Sequence, residues 1–103
     1  MHPVQIACLC CGYATLDARG HYDICPICFW EDDGQDNEDA DTNRGGPNRV
    51  SLSRARLNFL SLGAAEHKDL AHVRPPSPSD LRLRLVVIEG RVVERTPLLS
   101  SLH

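Results

Sequence analysis

Two cysteine pairs constrain this chain more than any other feature. Cys8-Leu9-Cys10-Cys11 and Cys25-Pro26-Ile27-Cys28 are two CxxC steps with thirteen residues between them. Two thiolates three residues apart can grip one ion, because a tight turn brings both sulfurs to the same side. Gly12 directly after Cys11 leaves room for that turn. The spacer is long enough for a hairpin, slightly short of the usual zinc-ribbon interval but compatible with it. The pattern predicts one structural Zn2+ held by Cys8, Cys11, Cys25 and Cys28, with iron in a rubredoxin-like site as the competing metal. A catalytic zinc is disfavoured: it needs an open coordination position and a neighbouring general base, and four thiolates close the site. The deaminase signature is absent. A redox role for Cys25-Pro26-Ile27-Cys28 would need a thioredoxin-like context, and none precedes it. Cys10 is the surplus thiol, expected to be a small semi-buried bystander. His2 and His21 are expected to be solvated surface residues.

A chain of 103 residues allows one small domain. Its five aromatic side chains make a thin core, and the shortest cores need a staple such as a disulfide, a metal or a partner chain. The hydrophobic fraction of 42% is too high for wholesale disorder. No apolar run approaches the ~20 residues that cross a bilayer, and Met1–Gln5 shows no basic n-region. The expectation is a cytoplasmic protein without membrane association. In that reducing compartment clustered cysteines point to metal rather than disulfides. The net charge of −3 hides a split: residues 1–43 hold nine acids against one arginine, and residues 44–103 hold ten basic residues against five acids. The halves can pair with each other or present an interaction surface.

Tyr13–Leu16 is β-prone, Asp17–Gly20 is a turn, and His21–Ile24 is expected to return as a second strand, making a hairpin between the cysteine pairs. Residues 31–48 read as a long acidic loop. Ser51 is placed to cap a helix bearing Leu52, Ala55, Phe59 and Leu62 on one face, with Arg54, Arg56, Asn58 and Ser61 outside that stripe and Gly63 ending it. Residues 64–73 suit a further short helical turn, and Pro75-Pro76-Ser77-Pro78 a stiff linker. Leu81–Leu85 alternates with period two and Val86–Ile88 is β-branched; Glu89-Gly90 turning into Arg91–Val93 would complete a hairpin, with a helix capped by Asp80 as the alternative. The fold expected is small α+β: a zinc-ribbon-like β-hairpin with two cysteine knuckles, one main helix and a C-terminal β-hairpin.

Cys8-Leu9-Cys10-Cys11-Gly12-Tyr13, followed by Ile24-Cys25-Pro26-Ile27-Cys28-Phe29-Trp30-Glu31-Asp32-Asp33, resembles the bacterial cysteine-rich CPCC family. Gly46-Pro47-Asn48, Ser51-Leu52, Ala55-Arg56 and Asn58-Phe59 are similar to its downstream pattern. The resemblance covers roughly residues 6–76. Leu9 stands where the family has its eponymous proline, which leaves the ligand spacing unchanged. The resemblance implies a small zinc-ribbon-like protein without an established activity. It suggests a CPCC-like zinc-ribbon domain with its helix over 1–76; the tail from Asp80 onward is not part of the family pattern, and residues 77–103 are expected to be a proline-rich linker and an extension packing on the same domain.

Trp30, Glu31, Asp32, Asp33, Asn48, Arg56 and Asn58 form a polar motif read as structural. Trp30 and Phe29 would cover the metal site against Phe59, and Asp32 or Asp33 would pair with Arg56 or cap the helix. Three functions compete. The favoured one is a non-catalytic module engaging a protein partner, as an adaptor or immunity-like protein, with Asp36, Glu38, Asp39 and Asp41 presented to a basic patch. The second is a nucleic-acid-binding ribbon using the arginine-rich second half, opposed by the acidic loop and a pI near 5.9. The third is an enzyme using Glu31, Asp32, Asp33 and Arg56. Sequence does not set the oligomeric state.

Overall fold

The computed structural model describes residues 4–88 and 91–93. Strand β1 (Ile6–Ala7) pairs antiparallel with β2 (Ala14–Leu16), Ile6 opposite Leu16 and Ala7 opposite Ala14, with an irregularity between the two pairs. This hairpin encloses the first cysteine pair at its tip. It is not the hairpin expected between the pairs. His21–Ile24 forms no strand with β2; instead Ile24 bridges Glu31 across the second cysteine pair. The Tyr22 amide donates to Asp32 O at 2.9 Å, and the Asp32 amide to Asp23 O at 3.0 Å. Each CxxC therefore sits at the tip of its own narrow antiparallel arch. The reason is local: a knuckle reverses the chain, so the residues flanking it pair with each other before they can pair across the spacer.

Helix α1 (Leu52–Leu62) begins and ends as its sequence dictates. Ser51 Oγ accepts from the Arg54 amide at 3.1 Å, and the Gly63 amide donates to Phe59 O at 2.9 Å with Gly63 left-handed at φ 93°. Its buried face is Leu52, Ala55, Arg56, Phe59 and Leu60. Leu62 is 37% exposed, and Arg56, expected outside the stripe, lies inside it. The spacing i, i+3, i+4, i+7 runs through position 56, and tertiary packing claims it despite its charge. A 3₁₀ turn over His67–His72 follows.

Leu52, Ala55 and Phe59 of the helix join the cysteines, Leu16, Ile27, Trp30 and Val86 in one core. The acidic stretch after Trp30 is ordered rather than a plain loop. A 3₁₀ turn over Asn37–Asp39 carries a capping box between Asp36 and Asp39. Gln35, buried, donates its side-chain amide to Asp39 O at 2.8 Å and Thr42 O at 2.6 Å.

The proline-rich stretch is tied down. Arg74 makes a two-pronged ion pair with Asp80, 2.8 and 3.0 Å, and Asp80 also accepts from the Ser77 amide at 2.7 Å. The chain then runs extended beside the first arch: the Ala14 amide donates to Leu81 O at 2.8 Å, Tyr13 bridges Arg82, and the Leu83 and Arg84 amides both donate to Gly12 O, at 2.8 and 3.2 Å. No helix starts at Asp80. Strands β3 (Val86–Ile88) and β4 (Arg91–Val93) pair antiparallel, Val87 opposite Val92, and β3 packs on α1. The expected Glu89-Gly90 turn lies outside the described residues. The period-two pattern of 81–85 does form an extended segment. Its leucines are exposed, and Arg82 and Arg84 are the half-buried members of the alternation.

Candidate metal centre

The two knuckles repeat one backbone pattern. The Cys8 amide donates to Tyr13 O at 2.8 Å and the Gly12 amide to Cys8 O at 2.8 Å; correspondingly, the Cys25 amide donates to Trp30 O at 3.0 Å and the Phe29 amide to Cys25 O at 2.7 Å. Both need a left-handed residue just after the second cysteine: Gly12 at φ 84° and Phe29 at φ 70°. At Gly12 nothing but glycine fits, because a Cβ there would lie 1.9 Å from Arg84 O. Phe29 occupies the equivalent position with its ring stacked on His72 at 5.1 Å. It does not pack with Trp30 against Phe59 as expected, because the left-handed backbone turns it toward the 3₁₀ turn. Trp30 alone joins Phe59 and the cysteines in the core.

The turns bring Cys8, Cys11, Cys25 and Cys28 together, fully buried, with all four sulfurs within 4.8 Å of one another. Cys8 and Cys28 Sγ are 3.5 Å apart, and Cys11 and Cys25 Sγ 3.7 Å. Four sulfurs about 2.3 Å from a tetrahedral ion would be about 3.8 Å apart. The donor set fits a metal chemically as well. Burial pushes the Cys11 and Cys28 thiols well up, whereas Cys25 is held down, first by Cys11, then by Cys28 and Cys8, and by Thr15 Oγ1 donating at 3.0 Å. A bound dication is what would keep four thiolates together out of water. The Trp30 amide also points at Cys28 Sγ, 3.5 Å away. These four buried cysteines could hold a metal ion.

The cysteine-rich CPCC family model matches residues 6–80, nearly three quarters of the chain. The chain belongs to the cysteine-rich CPCC family. No curated protein and no solved structure is detectably similar to it. In this CPCC protein the residues contacting Gly12 from the chain's end, Leu83 and Arg84, lie past the matched region.

Cys10 is completely buried rather than semi-buried, and burial raises its pKa. It lies outside the group of four. Cys10→Ala should retain one metal per chain and lose about 1 kcal/mol of stability from the small cavity. Metal titration and denaturation of that variant check this, and loss of the metal would mean that the first knuckle is assigned wrongly. His21 is exposed as expected, and His2 lies outside the described residues.

The polar motif divides into separate tasks. Asp32, fully buried, pairs with Arg19 at 3.0 Å and accepts from the Gly20 and Gly34 amides at 2.7 and 3.2 Å. Neither Asp32 nor Asp33 pairs with Arg56 or caps the helix; Asp33 accepts from the Gln35 amide at 3.0 Å and Asn48 Nδ2 at 3.4 Å. The Asn48 amide group answers the Glu31 backbone in both directions, accepting at 3.1 Å and donating at 2.7 Å, as an added strand would. Asn58 donates to Ala65 O at 2.8 Å, closing the turn after the helix. Arg56 faces the opposite way, toward Leu9 O at 2.9 Å and Val87 O at 2.8 Å. Asp32, Asp33 and Arg56 are therefore held by different partners. Arg19 reaching back to Asp32 is what sequence reasoning missed, and its only signal was its place as the lone basic residue of the acidic half. Asp32→Ala should cost about 2–4 kcal/mol, because it strands Arg19 and two amides. Chemical denaturation of the metal-loaded variant measures it.

Of the acidic set, Asp36 pairs with Arg84 at 3.0 Å, Asp39 with Arg44, and Asp41 accepts from Ser53 Oγ. Glu38 is exposed. Among the described residues no helix is long and apolar enough to cross a membrane.

Proposed function

We infer that this chain is a non-catalytic module built on one structural Zn2+, and that it engages a protein partner. The observation supporting the zinc reading is the convergence of four buried sulfurs at tetrahedral spacing. Cys8, Cys11, Cys25 and Cys28 would supply every coordination bond, so the ion would staple a thin core rather than offer a position to substrate. Iron suits the same geometry. Elemental analysis of freshly purified protein should find one zinc per chain; iron with strong visible absorption would reassign the metal, and neither ion would refute the reading.

The partner reading draws on the acidic stretch from Glu31 to Asp41. Gln35 and the capping box hold its backbone in one shape, so docking would cost little ordering entropy. A basic protein surface is the complementary partner, steered in by the field. Asp36 and Asp39 hold the loop, so the clean test is Glu38→Gln with Asp41→Asn. That variant should keep its fold and metal, associate several-fold more slowly with the captured partner, and show a flatter salt dependence. An unchanged rate at every salt concentration overturns this surface. No observation favours nucleic acid: Arg56, Arg74, Arg82 and Arg84 are held by the chain's own carbonyls and carboxylates.

A further inference from the structure

Arg56 is a cation in the core, 2% exposed. A buried guanidinium is ordinarily matched by a carboxylate. No ion pair among the described residues includes Arg56. Its hydrogen bonds go to two carbonyls, Leu9 O through Nε at 2.9 Å and Val87 O through Nη1 at 2.8 Å. These carbonyl dipoles supply no full counter-charge, and the nearby Asp36 and Arg84, paired with each other at 3.0 Å, act on the guanidinium in opposite directions.

The missing charge lies next to it. Leu9 is inside the first knuckle, between Cys8 and Cys10. Arg56 Nε holds Leu9 O at 2.9 Å, so the guanidinium lies against the first knuckle; burial lowers its pKa, and Cys10, outside the group of four, and Cys8, within it, both act to raise it. Four thiolates around a divalent ion carry a formal net charge of about −2. Such a centre, fully buried, needs a cation as much as Arg56 needs an anion.

We propose that Arg56 is the built-in counter-charge of the metal–tetrathiolate centre and favours the more negatively charged state of that centre. This rests on the reading that the four cysteines hold one metal ion. Through Val87 O the same guanidinium links the knuckle to β3, so one cation joins the helix, the metal site and the C-terminal hairpin.

Iron is a useful probe because its two oxidation states differ by one charge in one geometry. Ferrous iron gives the more negative centre, so a nearby cation raises the reduction potential. Purified protein reconstituted with iron is compared as wild type, Arg56→Gln and Arg56→Lys, with the potential read by spectroelectrochemistry and zinc affinity by competition with a chromophoric chelator. Arg56→Gln should shift the one-electron equilibrium toward ferric iron by about tenfold, a fall of about 59 mV. Arg56→Lys keeps the charge and should stay within about threefold of wild type. Zinc affinity should follow the same order. Equal potentials in all three proteins overturn the inference, since a purely structural role would not discriminate charge. If Arg56→Gln does not fold, Arg56→Met takes its place as the neutral variant: a fall of about tenfold relative to wild type and Arg56→Lys supports the charge role, and a wild-type potential overturns it. A wild-type chain that takes up neither zinc nor iron refutes the metal reading itself, and this inference with it.

Discussion

Cys28→Ser is expected to unfold most of the domain. Cys28 sits at 0% exposure at the centre of the core, and the second knuckle hands the chain directly to Trp30 and Asp32. Structural zinc in small modules contributes about 10–16 kcal/mol of apparent binding free energy, and a domain has only about 5–15 kcal/mol of net stability. If the four cysteines hold such an ion, removing one of them would take away a share of that energy as large as the fold can spare. Circular dichroism and amide NMR should show collapse of dispersion, and metal analysis a substoichiometric ion. Cys11→Ser should behave alike, because its sulfur faces Cys25 across the site at 3.7 Å. A Cys28→Ser protein that keeps native dispersion without metal would show that the core, not the ion, holds the domain.

Gly12→Ala is expected to be the most damaging substitution outside the ligands. Its Cβ would lie 1.9 Å from Arg84 O, a backbone atom with no room to retreat because Leu83 and Arg84 both donate to Gly12 O. The left-handed φ of 84° adds about 1–2 kcal/mol of strain for any residue with a Cβ. The extended segment must detach or the knuckle must distort, for a total of about 3–5 kcal/mol. Hydrogen exchange should show loss of protection at the Leu83 and Arg84 amides before any loss in α1. Gly20→Ala is the control: φ is 71° but nothing lies within 4 Å, so it should cost only about 1 kcal/mol. If the two variants are equally stable, residues 83–84 are not packed on the knuckle.

That Cys8, Cys11, Cys25 and Cys28 meet was legible in the sequence, because a CxxC turn has few ways to place its sulfurs. So were Ser51 and Gly63 as helix ends, where a hydroxyl acceptor and a left-handed residue answer local backbone needs. Phe29 gave no such signal, since a left-handed residue with a large side chain departs from local preference and is sustained only by the knuckle around it. Asp32 was legible as a carboxylate with a structural task, but not its partner: Arg19 lies across a fold of the chain, and opposite charges in sequence do not say which will meet.

What the sequence by itself determined is the meeting of the four cysteines and the helix with its caps, consequences of spacing and backbone chemistry within a few residues; between an extended and a helical course for the chain after Asp80 it left the choice open. Tertiary structure alone decided which face of 81–85 turns inward. Period two allows either the leucines or the arginines to face the protein, and the choice followed from what lay beneath. Under this segment lie the first knuckle, whose Cys11 O accepts from Arg82 Nε at 3.2 Å, and the start of the acidic 3₁₀ turn, whose Asp36 carboxylate pairs with Arg84 at 3.0 Å. Leu9 O, beside them, takes Arg56 from the helix at 2.9 Å. A surface of unpaired acceptors draws guanidinium groups inward and leaves leucines outward, and no local rule carries that information, because the acceptors exist only once the knuckle has formed.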